Sequence, residues 1–193
     1  MSIPYIIVFL FSLTGHEWAH ARVATNLGDP TPRQEGRLTW NVFSHISLPG
    51  MLMFYLTNIG WAKPVRVDTR YLRNPQTDML WISLAGPLTN LVIALCAAII
   101  WHFALPVWPE WALQTLFIAI YLNIMLAFFN LLPIPPLDGS KIFTSFLPTR
   151  WSYLLQQIEP WGFIILLVSL NYLGLGTFLG KLSDIIVRWL LMW

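Results

Sequence analysis

Charge is scarce in this chain: Asp, Glu, Lys and Arg make up 10% of its 193 residues and hydrophobic residues 56%, where soluble domains carry about 25% charge. A water-facing surface needs more than that, so an ordinary soluble globule is excluded. A mean hydropathy of +0.62 makes lipid the natural solvent. Cysteine is almost absent. The single Cys96 lies in an apolar run over residues 91–100, which rules out a disulfide framework and a cysteine-based zinc site and leaves packing as its role. The net charge is only +2, and the basic residues are scattered through loops rather than aligned, so nothing tracks a nucleic acid. Residues 1–13 look like a signal-peptide core but lack a basic leader and a small-residue cleavage site, and are expected to stay in the mature protein.

Aromatic residues, by contrast, are plentiful. Eleven Trp and six Tyr crowd the ends of the apolar runs, as at Trp81, Trp101, Trp108, Trp111, Trp161 and Trp189. Amphipathic rings suit the headgroup boundary of a bilayer.

Residues 3–26 are apolar apart from a central polar cluster and would reach ~36 Å as a helix, enough to span. Asp29, Pro30 and Pro32 then break the pattern. Over residues 36–46, Leu38, Trp40, Val42 and Ile46 fall at alternate positions, which predicts a strand or small β-hairpin. Residues 48–60 are apolar but too short to cross, which suits a re-entrant or interfacial piece. Residues 61–78 are polar and basic. Residues 79–105 and 111–132 are two further spans, closed by Pro133, Pro135 and Pro136. The tail, residues 151–193, holds a span beginning near Trp161. Its last segment, after Gly180, carries Lys181, Asp184 and Arg188, which suit the membrane surface. One domain is expected over residues 1–193, with a core at about 3–145 and C-terminal membrane segments at about 151–193.

Basic residues set the orientation. Arg33, Arg37, Lys63, Arg66, Arg70 and Arg73 lie between the first and second spans, and residues 106–110 between the second and third carry none. The first loop is therefore expected on the cytoplasmic side, with Lys141 and Arg150.

Within the first span, His16-Glu17-Trp18-Ala19-His20 reads H-E-x-x-H. Positions four apart share a helix face, so both imidazoles can reach one metal ion while Glu17 borders it. Ionisable groups inside a bilayer are costly and mark function. The competing reading, polar groups that merely bond neighbouring helices, has to compensate three such groups within five residues. A hydrolytic zinc takes three protein ligands and leaves a position for water. Among the few carboxylates, Asp138 is a candidate third ligand: it follows Pro133, Pro135 and Pro136, and irregular backbone at membrane depth is tolerated where it lines a cavity. A rigid loop leaving the membrane is the alternative for those prolines.

Four stretches, His16 to His20, Gly60-Trp-Ala-Lys-Pro-Val65, Ala85-Gly-Pro-Leu-Thr-Asn90, and Asn130 through Asp138-Gly139, make the sequence similar to the site-2 protease family of intramembrane zinc metalloproteases. They cover about residues 5–145 and resemble the compact branch without an inserted peptide-binding domain. The resemblance implies an all-α polytopic membrane protein with about four to six membrane segments around a three-helix catalytic core, plus the small hairpin near 36–46. It implies Asp138 as the third ligand of one Zn2+ per chain, Asn130 as a catalytic residue that orients substrate or stabilises the oxyanion, and Asn90 facing the site. For Asn90, interhelical hydrogen bonding is an equal reading. Gly86 and Pro87 are expected to permit close helix approach. The branch commonly has an aspartate after the histidine-isoleucine pair at the end of the hairpin, where this chain has Ser47 after His45-Ile46. His45 is read as a structural loop residue, an additional metal ligand being the alternative.

The expected activity is hydrolysis of membrane-spanning substrate segments in regulated intramembrane proteolysis, with Glu17 as general base. Trp40 and Val42 would hold unwound substrate by strand addition. Single-span membrane proteins and the bilayer are the expected partners, in a prokaryotic plasma (inner) membrane with the site towards the cytoplasm. The rivals are a zinc-binding membrane transporter or sensor and an inactive relative that binds clients.

Overall fold

The computed structural model describes residues 2–57, 60–104 and 108–192; the ends of two predicted segments, at residues 58–59 and 105–107, lie outside them. The fold is helical. Helix α1, Ile3–Asn26, starts with Pro4 in its first turn, where a fixed φ and a missing N–H do no harm. It ends where Leu27 bonds back to the carbonyls of Val23 and Ala24 and Gly28 turns the chain at φ 109°. Helices α4, Pro75–Ala104, and α5, Glu110–Asn130, follow as long apolar rods. These two are long and apolar enough to cross a membrane, and the bent pair Gln157–Asn171 and Leu175–Leu191, with 68° between its arms, makes a third if taken as one broken span. Helix α1 has the length, but Thr14, His16, Glu17, His20 and Arg22 dilute its apolarity.

Helix α4 packs against α1 and α5, and α1 also meets α5. Ala94, Ala97 and Ala98 of α4 close against Ile120 and Ile124 of α5 and Val187 of the last helix. Small side chains bring backbones near one another where lipid offers no hydrophobic drive. Away from these contacts, Val92, Leu95, Ile99 and Phe103 recur at helical spacing on α4 and are 50–83% exposed, a face that water would penalise and acyl chains would not.

The connection from α1 to α4 contains α2, Thr31–Gln34, and α3, Leu48–Thr57. At about 15 Å, α3 is too short to cross a bilayer. The hairpin expected over residues 36–46 is not formed. Val42–Ser44 is instead a 3₁₀ turn capped by the Asn41 side chain, and the β pairing among the described residues is a single antiparallel bridge, Ile46 to Ala62. The buried Arg37 guanidinium braces the segment in this shape, donating to the carbonyl of Ser44 within it and to those of Lys63 (3.0 Å) and Pro64 (2.8 Å) in the facing segment. The alternation at Trp40 serves another contact: its ring stacks on Trp18 and Phe11 of α1, centroids 5.2 and 5.6 Å apart. Asp29 pegs the same region from below, accepting from the N–H of Thr31 at 2.9 Å and of Asp68 at 2.8 Å.

After α5, residues 131–137 form an irregular proline loop leading into α6, Asp138–Ser145, whose first residue is therefore held by the loop and not by the body of a helix. Helices α7, Thr149–Asn171, and α8, Leu175–Leu191, complete the chain, with α8 against α5.

Candidate metal centre

Helix α1 buries a face made of small and polar residues, and His16 and His20 lie on it one turn apart, 5% and 7% exposed. Asp138 arrives from the far end of the proline loop. Its Oδ2 stands 3.0 Å from His16 Nε2 and 3.1 Å from His20 Nε2, and the two Nε2 atoms are 3.0 Å apart.

The partners behind the rings decide what those three atoms are. His20 Nδ1 lies 2.6 Å from the Ile82 carbonyl, which can only accept, so this nitrogen carries the proton. His16 Nδ1 lies 2.6 Å from Asn90 Oδ1, while Asn90 Nδ2 donates to Asn123 Oδ1 at 2.8 Å and to the Ser12 carbonyl. Asn123 Nδ2 in turn donates to Ser12 Oγ and the Ala119 carbonyl, both at 2.8 Å. The chain of amides leaves the Asn90 oxygen as acceptor, so His16 also carries its proton on Nδ1. In the neutral rings both Nε2 atoms then present lone pairs towards a carboxylate oxygen, the form in which histidine ligates a metal. Three acceptors at this separation repel unless a proton or a metal cation lies between them.

Two imidazoles and one carboxylate are the donor set of a hydrolytic zinc, and ligand atoms about 2.0–2.2 Å from a tetrahedral ion stand about 3.3–3.6 Å apart. The observed distances fall within a few tenths of an ångström of that. Gly86 of α4 seals the back: a Cβ there would stand 2.4 Å from His20 Nε2 and 2.5 Å from His16 Nε2. The residues fit the ion.

Glu17, 9% exposed, borders a 220 Å³ cavity with His16, His20, Asp138, Asn130 and the non-helical segment containing Ala62 to Val65. The Val65 N–H donates to Glu17 Oε2 at 3.2 Å. Asn130 reaches the cavity from the end of α5, with its amide nitrogen donating to the Leu126 carbonyl at 3.0 Å. Phe9, Gly60, Leu126 and Phe129 also line a neighbouring apolar groove of 360 Å³ between α1, α5 and the α7–α8 bend.

The structure thus brings His16, Glu17, His20, Asn130 and Asp138 together. Asn90 is fully buried behind His16, and Trp40 and Val42 are not among the cavity-lining residues. His45 stays outside the cluster, its Nε2 3.0 Å from the Thr39 carbonyl. Sequence reasoning missed Ser12, Asn123, Val65 and the Ile82 carbonyl, which act through helix faces and backbone. The available signals were a buried Asn in an apolar run at Asn123 and the place of Val65 in the stretch at residues 60–65.

The family pattern described as peptidase family M50 matches residues 106–171, a stretch holding α5, the proline loop and Asp138. The chain is 36% identical to YwhC of Bacillus subtilis, named as a zinc metalloprotease, over 86% of this chain and 79% of YwhC. It is 32% identical to Rip2 of Mycolicibacterium smegmatis and to Rip2 of Mycobacterium tuberculosis, also named as zinc metalloproteases, over 84% and 83% of this chain. It spans 64% and 63% of those two proteins. No solved structure matches the chain at a significant level. With a match along most of both chains and a donor set suited to the same metal, this chain belongs to peptidase family M50, the site-2 protease family of membrane zinc metalloproteases.

Proposed function

We propose that the chain is an intramembrane zinc endopeptidase that hydrolyses peptide bonds within single-span membrane segments, as a step in regulated intramembrane proteolysis. One observation carries the reading: three lone pairs converge beside Glu17 in a cavity that adjoins an apolar groove. His16, His20 and Asp138 would hold the ion, which when bound supplies an activated water and polarises the scissile carbonyl. Glu17 takes the proton of the attacking water and returns it to the leaving amine. The Val65 N–H keeps its carboxylate turned to the cavity. Asn90 holds the His16 ring in its ligand tautomer, and Asn130 faces substrate from the cavity wall.

A substrate helix hides its own carbonyls, so it has to unwind before cleavage. The role first expected of Trp40 and Val42 passes to the non-helical segment at residues 60–67, which lines the cavity and offers backbone groups to an extended strand. Helices α1, α4, α5 and the bent α7–α8 pair would make the spans of a plasma-membrane protein, with α3 re-entrant. Arg33, Arg37 and Lys63 would place the site towards the cytoplasm.

The test is purified protein in lipid nanodiscs with a single-span reporter, with and without a zinc chelator. Cleavage that chelation abolishes and added zinc restores is expected. Reporter captured but never cut, or zinc moved across vesicles without cleavage, would overturn the reading in favour of a client-binding relative or a transporter.

A further inference from the structure

Ser83 lines the cavity that holds Glu17 and Asp138, is 1% exposed, and its Oγ finds no hydrogen-bond partner among the described residues. A hydroxyl in that state bears the full cost of losing water with nothing in return. Hydroxyls on helices usually escape this by bonding to the carbonyl four residues back, as Thr14, Thr25 and Thr115 do here. Ser83 does not.

Its position on α4 relates it to the reacting atoms. Ser83 precedes Gly86 by three residues and so shares its helix face, and Gly86 is the residue pressed against both imidazole Nε2 atoms. Ser83 therefore lies about one helical turn, ~5 Å of rise, from Gly86 along α4, on the wall of the cavity that the ligands also line. Pro87, four residues on, has no N–H for the Ser83 carbonyl, so the local helix leaves this residue short of partners on two counts.

We infer that the Ser83 hydroxyl donates a hydrogen bond to the scissile carbonyl oxygen as negative charge gathers there, acting beside Asn130 as a catalytic residue. The inference rests on the proteolytic reading above. Asn130 already commits one amide hydrogen to the Leu126 carbonyl, whereas the single hydroxyl hydrogen of Ser83 is unspent, and rotation about χ1 turns it towards the cavity. A donor that is idle in the resting protein and engaged only at the transition state raises turnover and not substrate affinity.

The test compares Ser83→Ala with wild type and Glu17→Gln, all zinc-loaded in nanodiscs, reading kcat and KM separately along with zinc content and Tm. Ser83→Ala is expected to lower kcat about 100-fold, with KM within about twofold, zinc content unchanged and Tm equal or higher because an unpaired hydroxyl has gone. Wild-type kcat in Ser83→Ala, with Glu17→Gln inactive, would overturn the inference alone. A fall in kcat matched by falls in Tm and zinc content would also overturn it, making Ser83 a packing residue. No cleavage by any of the three proteins, zinc-loaded wild type included, would instead overturn the proteolytic reading.

Discussion

His16 and Asn90 meet at 2.6 Å across the α1–α4 interface, on the side of the imidazole away from Asp138. The contact is the head of a buried relay through Asn123 to Ser12 that ties three helices to one ring. Replacing Asn90 with Ala removes the acceptor that sets the tautomer. Zinc affinity is expected to fall about 10–100-fold, measured by competition with a chromophoric chelator. Affinity equal to wild type would mean that the ring is oriented by packing alone.

Gly86 makes the sign of an ordinary helix substitution reverse. Gly to Ala inside a helix commonly stabilises by about 0.5–1 kcal/mol. Here the new methyl would stand 2.4 Å from His20 Nε2, so Gly86→Ala is expected to destabilise by about 1–3 kcal/mol and to lose stoichiometric zinc. Thermal unfolding in detergent, with metal content read on the same sample, checks both at once.

Glu17 has no place among the converging ligand atoms, and its carboxylate faces the cavity with one backbone N–H on it. Glu17→Gln keeps the shape and the hydrogen-bond acceptor but cannot take a proton. Bound zinc is expected to remain at one per chain while cleavage falls by at least about 100-fold. Asp138→Asn should show the opposite pattern, zinc lost first and activity with it. Identical zinc binding in the two variants would separate Asp138 from the metal.

How much of this was legible beforehand differs from residue to residue. His16, Glu17 and His20 were readable because helical period alone puts them together. Asp138 stands 118 residues beyond His20, and no periodicity links them; it entered as a candidate on its proline loop and was singled out by family resemblance. Gly86, Asn123, Ser12 and Ser83 matter only through which faces of α4 and α5 meet α1, a fact of tertiary packing. The hairpin misreading has a local cause. Alternating apolar residues at 38, 40 and 42 fit a strand, but Trp40 packs on α1 and Val42–Ser44 closes into a 3₁₀ turn whose Ser44 carbonyl Arg37 holds, and the β pairing among the described residues is the one bridge from Ile46 to Ala62.

Arg37 provides the last prediction, because it ties that loop to the Glu17 carboxylate. Its guanidinium holds the carbonyls of Lys63 and Pro64, and the next residue, Val65, donates to Glu17. Arg37 is 2% exposed and its three acceptors are part-buried, so truncation to Ala opens a cavity and leaves three carbonyls without their donor. Hydrogen bonds to a charged donor are worth about 1.5–3 kcal/mol each when desolvated, and with acceptors that are only part-buried a loss of about 2 kcal/mol is expected by chemical unfolding. Lys, with a compact ammonium in place of a planar fork, cannot reach all three acceptors and should recover part of that stability. In either variant the metal ligands are untouched, so zinc stays bound while kcat falls as the 62–65 segment loosens its hold on Glu17. Full turnover in a clearly destabilised Arg37→Lys protein would show that the segment holds its place without the guanidinium.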